Sequence, residues 1–293
     1  MKKIFWASII AFIILFMFFF LKPVFSGEII LSPVLFQLGR LQVRWYGVLI
    51  ASGILIAYMV ARTRIKAENI NEDQVIEDLF YGVIAGVIGA RLYYVAFNWD
   101  YFSENPTDIF KIWYGGLAIH GAVIAAVIVA FLYTRLKKGV TFRFLQILDI
   151  ALMVFPLAQA IGRWGNFFNH EAFGKPTNLP WKMYIPIQNR PLMYRSYEYF
   201  HPTFLYESIW DLMVFTFLYI YTKKYRKKFG ETTALYMILY SIGRFFIEGL
   251  RLDSLYIGKL RTAQVVSVIL ILLGVLLFAY VRRKGLKAIP SSS

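Results

Sequence analysis

Cysteine is absent from the 293 residues. Its absence excludes a disulfide scaffold, a cysteine-ligated zinc site and a cysteine nucleophile. It also removes the usual carrier of a lipid anchor. Charge is scarce: Asp, Glu, Lys and Arg make up 17% of the chain, against about 25% in an average soluble domain. Acidic residues are the scarcer kind, 17 against 32 Lys plus Arg, which leaves a formal charge of +15. Internal repeats, low-complexity runs and linkers long enough to separate domains are also missing.

What is present is apolar. Hydrophobic residues are 59% of the chain, aromatics 18%, and the mean hydropathy is +0.57. Soluble domains are roughly 45–50% apolar, so this chain is too greasy to be one. Disorder is excluded, because disordered chains are polar and poor in aromatics. A pI near 9.8 suggests nucleic acid in a soluble protein. In a membrane protein the same excess marks cytoplasmic loops.

A helix needs about 20 mostly apolar residues to cross a bilayer. Eight stretches qualify: Ile4–Leu21, Trp45–Ala61, Leu79–Phe97, Trp113–Thr134, Phe144–Ile161, Thr203–Thr222, Thr232–Leu250 and Ala263–Val281. Basic clusters at Lys2–Lys3, Arg62–Lys66, Arg135–Arg143, Lys223–Lys228 and Arg282–Lys287 fall on alternate connections. By the positive-inside rule both termini are cytoplasmic, and the connections around 22–44, 98–112, 162–202 and 251–262 face outward. The first stretch is ambiguous. Lys2, Lys3, an apolar run and Val24-Phe25-Ser26 fit a secretory signal as well as an extra span. The uncharged run of Ile4–Leu21 exceeds the usual signal core of 7–15 residues, which favours an uncleaved span. The Pro-Ser-Ser-Ser end reads as a frayed tail.

Ionisable residues inside spanning helices cost about 2.5–3.5 kcal/mol on insertion scales and usually mark function. Arg91, His120, Asp149, Arg244 and Glu248 sit in such stretches, the last two spaced i,i+4 on one face. Arg163, His170, Glu171, His201 and Glu207 lie on the outward side. The densest segment is Gly162-Arg163-Trp164-Gly165-Asn166-Phe167-Phe168-Asn169-His170-Glu171-Ala172-Phe173-Gly174. Its three glycines allow tight turns and close approach to a ligand. Arg163 offers a planar fork of donors suited to phosphate. The segment is expected to be irregular polar backbone, buried in protein or lining a cavity. Bland readings stand beside these. Arg163 could snorkel to the surface, and Arg244–Glu248 could be a structural ion pair. Glu171 could merely shape its loop, and Arg91 and Asp149 could pair structurally. His120 could serve helix packing, and Gly82 with Gly86 has helix-packing spacing. Gly115 and Gly116 could form a tight entry turn.

The thirteen-residue segment resembles the G-R-x-G-N-F-x-N-x-E-x-x-G signature of prolipoprotein diacylglyceryl transferases at every fixed position. Four further pieces agree in order: Arg44-Trp45-Tyr46-Gly47, Gly115 to Gly121, His201 to Glu207, and Tyr240 to Glu248 followed by Arg251. The resemblance covers roughly residues 30–285. It implies an all-α polytopic membrane protein, with a seven-helix transferase core over 30–287. Before the core come residues 1–29, a hydrophobic segment (an extra span or a signal), and after it a tail at 288–293.

The implied reaction moves the diacylglyceryl group of phosphatidylglycerol onto the lipobox cysteine thiol of a preprolipoprotein. A thioether forms and glycerol phosphate leaves. The thiol must lose its proton, because thiolate is the nucleophile. Charge builds on the leaving phosphate, where arginines in a dry site stabilise it. By resemblance, Arg163 and Arg244 bind the phosphate and stabilise the leaving group, and His120 is the candidate general base. Tyr46, Asn166, Asn169, Glu171, Gly174, Tyr240 and Glu248 match binding or architectural positions, and His201 and Arg251 match weaker ones. His170 fills a variable position and receives no role. No metal, cofactor or nucleic acid is expected, and the protein is expected to be a monomer. Its implied home is a bacterial inner membrane, with the active site toward the periplasmic side. Another phospholipid head-group transferase, which would commonly use paired aspartates and a metal, or a membrane transporter is the competing reading.

Overall fold

A computed structural model describes residues 15–39 and 41–288. The helices are α1 (Met17–Ser26), α2 (Trp45–Ala67), α3 (Glu72–Phe97), α4 (Trp99–Glu104), α5 (Ile119–Leu136), α6 (Phe144–Phe168), α7 (Thr203–Lys224), α8 (Glu231–Glu248) and α9 (Thr262–Lys284). Three small antiparallel pairs join them: β1 (Val34–Leu38) with β2 (Leu41–Arg44), β3 (Met183–Tyr184) with β4 (Tyr199–Phe200), and β5 (Tyr256–Ile257) with β6 (Leu260–Arg261).

Among the described residues, six helices are long and apolar enough to cross a membrane: α2, α3, α5, α6, α7 and α9. Helix α8 has 18 residues but carries Glu231, Arg244 and Glu248, and it falls short of them in apolar character. Seven of the eight expected stretches therefore lie on helices. The first, Ile4–Leu21, lies mostly outside the described residues; its end forms part of α1.

Helix ends differ from the expected limits for local reasons. Helix α3 starts at Glu72, before the apolar run, because the Asn71 side chain caps it by accepting from Gln74 N at 3.2 Å. Helix α5 starts at Ile119 rather than Trp113, because Gly115 (φ 92°) and Gly116 (φ 73°) break the chain there. Helix α6 runs on to Phe168, so Gly162, Arg163 and Gly165 are helical and not irregular backbone.

The chain divides into two compact units. The first comprises Met1–Tyr58, Val154–Tyr219 and Ala234–Leu276. Its apolar core joins Leu21 and Val24 of α1 to Phe167, Phe173, Met183, Ile185, Phe200 and Phe204. Helices α7 and α8 touch closely: a Cβ on Gly243 would lie 2.1 Å from Trp210 Nε1, whose N–H donates to Leu239 O at 3.0 Å.

The second unit comprises Met59–Met153, Ile220–Thr233 and Leu277–Ser293. In it α3 and α5 pack through glycine: a Cβ on Gly121 would lie 2.2 Å from Gly89 O. Gly86 faces Ala122 in ordinary contact, whereas a Cβ on Gly82 would meet nothing within 4 Å. The packing pair is thus Gly86–Gly89, not the expected Gly82–Gly86. Arg91 and Asp149 do not pair either. Arg91 donates to the carbonyls of Asp108, Ile109, Gly115 and Gly116. Asp149 accepts from Gly230 N (2.8 Å), Thr233 N (2.9 Å), Thr233 Oγ1 (2.8 Å) and Arg226. Arg226 also binds Glu68, which accepts from Arg64 and Gln146. Two arginines of the basic clusters, Arg64 and Arg226, are thus buried in an ion network rather than solvated.

Candidate functional site

The first unit gathers its ionisable groups on one carboxylate. Arg163 of α6 ion-pairs Glu207 Oε2 at 2.7 Å. Arg244 of α8 donates to Glu207 Oε1 at 2.9 Å, and Arg251, just beyond α8, donates to the same oxygen at 3.1 Å. Arg244 also pairs Glu248 at 2.6 Å, and Arg251 holds Asp253 through two hydrogen bonds of 2.9 and 2.7 Å. Glu207 is 5% exposed, so its charge is sustained by those guanidiniums rather than by water. One turn further along α7, Asp211 faces the same way, with Oδ2 4.0 Å from Arg163 Nε. Neither of these two atoms, nor Asn169 Oδ1, has a hydrogen-bond partner among the described residues. Buried polar atoms left open in this way are a mark of functional sites.

Local sequence explains the convergence. Ser208 Oγ donates to Ala160 O at 2.9 Å, tying the Glu207 turn of α7 to α6 beside Arg163. Pro202 precedes α7 and Thr203 opens it, with Thr203 Oγ1 bonded to Ala172 O. Gly174 N donates to His201 O at 2.9 Å and Lys175 N to Leu250 O at 2.8 Å, and Gly174 forms a bridge with Arg251. A Cβ on Gly174 would lie 2.8 Å from His201 Cβ, so only glycine fits where these segments meet. His170 (φ 51°) and Ala172 (φ 59°) hold left-handed backbone, strain that the surrounding bonds sustain.

The remaining polar residues form a second set. Asn166 and Asn169 both donate to Glu171 Oε1, at 2.9 and 3.2 Å, and Glu171 N returns to Asn166 O at 3.1 Å. Glu171 therefore orients two amides at the end of α6. Tyr46, at the start of α2, lies against Gly165, where a Cβ would be 2.5 Å from its ring. A hollow of about 630 Å³ extends from Gln42 and Arg44 past Tyr46, Gly47 and Ala51 to Asn169. Tyr240 stacks on Tyr236 at 5.5 Å and lies within electrostatic range of Arg163, Arg244, Glu207 and Asp211. His201 Nδ1 sits 3.1 Å from the Tyr206 hydroxyl, and burial lowers the affinity of its imidazole for a proton. His120 belongs to the other unit, exposed in the first turn of α5, with its ring 5.9 Å from that of Tyr93.

Of the residues singled out from sequence, Arg163, Arg244, Glu248 and Arg251 share one cluster. Asn166, Asn169 and Glu171 share another, and Tyr46, Tyr240, Gly174 and His201 line the same unit. Sequence reasoning gave no role to Glu207, the hub, and overlooked Asp211. The i,i+4 spacing of two carboxylates in an apolar helix was the signal available for both. Arg163 does not snorkel: it is drawn inward, its side chain 20% exposed.

Three guanidiniums and their open polar atoms, at the ends of apolar helices, suit an amphiphile with an anionic head. A family model described as prolipoprotein diacylglyceryl transferase matches residues 33–280. The phosphatidylglycerol–prolipoprotein diacylglyceryl transferase of Fervidobacterium nodosum is 54% identical over 265 residues, covering 90% of each chain. That of Thermotoga maritima is 60% identical over 259 residues, 88% of each chain. That of Trichormus variabilis is 48% identical over 268 residues, 89% of this chain and 94% of the relative.

Proposed function

Since this chain belongs to the prolipoprotein diacylglyceryl transferase family, we propose that it alkylates a substrate cysteine with the diacylglyceryl group of phosphatidylglycerol. The observation that carries the proposal is the convergence of Arg163, Arg244 and Arg251 on Glu207 within 3.1 Å. The thiol of a preprolipoprotein lipobox loses its proton, and the thiolate attacks the glycerol carbon that bears the phosphodiester. The C–O bond to phosphate breaks, a C–S bond forms, and glycerol phosphate leaves.

Arg163 and Arg244 receive the phosphate and stabilise the charge it gains, and Arg251 supports them through Glu207. Preorganised donors act most strongly where water is excluded. Asn166 and Asn169, held by Glu171, contribute amide donors toward the head group, and Tyr46 and Tyr240 line the lipid's approach. Glu248 fixes Arg244, and Gly174 and His201 hold the segments that carry Arg251 and Glu207. The resemblance supports His120 as the base for the thiol, a role suited to histidine. The thiol comes from the substrate, since the chain has none of its own.

The protein is a multi-pass membrane protein by its six apolar helices and its family. Its basic clusters support cytoplasmic termini and a site on the outer side of the membrane; a bacterial inner membrane and action as a monomer complete the proposal. Membership in the family leaves the transporter and head-group transferase readings without support.

The test is conversion of a lipobox peptide to its diacylglyceryl thioether by purified protein in phosphatidylglycerol vesicles. Product is expected with the cysteine peptide and none with its Cys→Ser form. Arg163→Ala and Arg244→Ala should each abolish turnover while leaving the protein folded. Absence of product from folded wild-type protein would overturn the assignment.

A further inference from the structure

The family model begins at residue 33, yet the main apolar core of the first unit begins earlier. Leu21 and Val24 are 4% and 5% exposed, packed among Phe167, Phe173, Met183, Phe200 and Phe204. The ring of Phe16 lies 6.0 Å from Trp164, and that of Phe25 lies 6.1 Å from Phe167 and 6.4 Å from Phe204. The exit from α1 is fastened as well. Gly27 turns the chain at φ 87°, where a Cβ would lie 2.7 Å from Tyr184, and the Tyr199 hydroxyl donates to Ser26 O at 3.3 Å.

Val24 is buried, and Lys22 and Pro23 open the short helix that carries it. The surfaces that α1 covers are also particular. Trp164 adjoins Arg163, and Phe167 is one turn beyond it on α6. Phe204 is one turn before Glu207 and Ser208 on α7. The contacts of α1 therefore bear on the two helical turns that present the Arg163–Glu207 pair.

We infer that Met17–Ser26 is a positioning element, which holds the Arg163 turn of α6 and the Glu207 turn of α7 in register. This rests on the transferase reading only where turnover is the readout. Removal of the segment would uncover Phe167 and Phe204 and let both turns shift, and misplacement by about 1 Å costs on the order of 100-fold in rate.

Two measurements on the full chain test it. Hydrogen exchange should show protected amides over residues 163–168 in wild type and faster exchange there in Leu21→Ala/Val24→Ala. Equal exchange in the two would mean that α1 holds nothing in place. In the transfer assay the double variant should lose about ten-fold in kcat, with KM for phosphatidylglycerol within two-fold. Leu21→Met/Val24→Ile should restore it. Full kcat in the folded double variant would overturn the positioning role. Should that variant not fold, Phe16→Leu and Phe25→Leu give the same readouts with smaller losses. Failure of the wild type to transfer lipid would count against the function alone, because exchange needs no turnover.

Discussion

Glu207 carries three guanidiniums on two oxygens, and what it does differs from what its neighbour Asp211 does. Removing one partner of a buried ion cluster leaves uncompensated charge, at a cost of about 3–5 kcal/mol. Glu207→Gln should therefore lower the thermal midpoint sharply and abolish turnover, since all three arginines lose their common anchor. Asp211 Oδ2 has no hydrogen-bond partner among the described residues and acts on Arg163 by field, across 4.0 Å. Asp211→Asn removes that opposing charge while keeping shape. It should lower KM for the anionic lipid several-fold and leave kcat within a few-fold; an unchanged KM would show that Asp211 carries no charge in the resting protein. His201 gives a pH test. Burial lowers its proton affinity in the fold below the ordinary value of 6.5. The unfolded chain therefore binds the proton first, so stability is full above about pH 6.5 and falls as pH drops toward the folded value. Between pH 7 and pH 5 the thermal midpoint should fall less steeply in His201→Gln than in wild type.

At the scale of elements, the site depends on how closely α6, α7 and α8 approach one another. Gly243 adjoins Arg244, and Trp210 lies one turn from Glu207, so a methyl group at Gly243 would push the two carriers apart. Gly243→Ala should cost about 1–3 kcal/mol by overpacking and most of the activity. Gly162→Ala, with nothing within 4 Å of its Cβ, should hold or raise the thermal midpoint, because alanine favours a helix. Paired thermal scans separate the two. Element positions were legible in the sequence because a bilayer demands long apolar runs, and seven of the eight runs lie on helices. Element ends were not, because polar caps and backbone decide them: Asn71 extends α3, and Gly115 with Gly116 delays α5. Glycines in the signature suggested irregular backbone, yet Gly162 and Gly165 stay helical, and Gly165 serves close approach to Tyr46. The arginines were legible through motif and cost of burial. Glu207 as their hub was not, because its partners come from residues 163, 244 and 251, and no local spacing shows that meeting.

For the whole molecule, the sequence makes one large statement, which is the alternation of its basic clusters. Some of that charge is spent internally, since Arg226 and Arg64 are buried against Glu68. The clusters still recur on alternate connections of the sequence, and insertion responds to Lys and Arg near the ends of spans. Lys138 lies on an exposed turn between α5 and α6, in a basic cluster. Met193 and Leu255 lie on connections of the other set, 78% and 76% exposed. A chain without cysteine makes the test clean, because a single introduced thiol is the only one that reacts. A membrane-impermeant maleimide added to spheroplasts should label Met193→Cys and Leu255→Cys at once, and Lys138→Cys only after lysis. The reverse pattern would place Arg163, Arg244 and Arg251 on the cytoplasmic side. There the enzyme could not meet a lipobox thiol that has already been translocated, so the labelling decides more than topology: it decides when in secretion the thiol becomes a substrate.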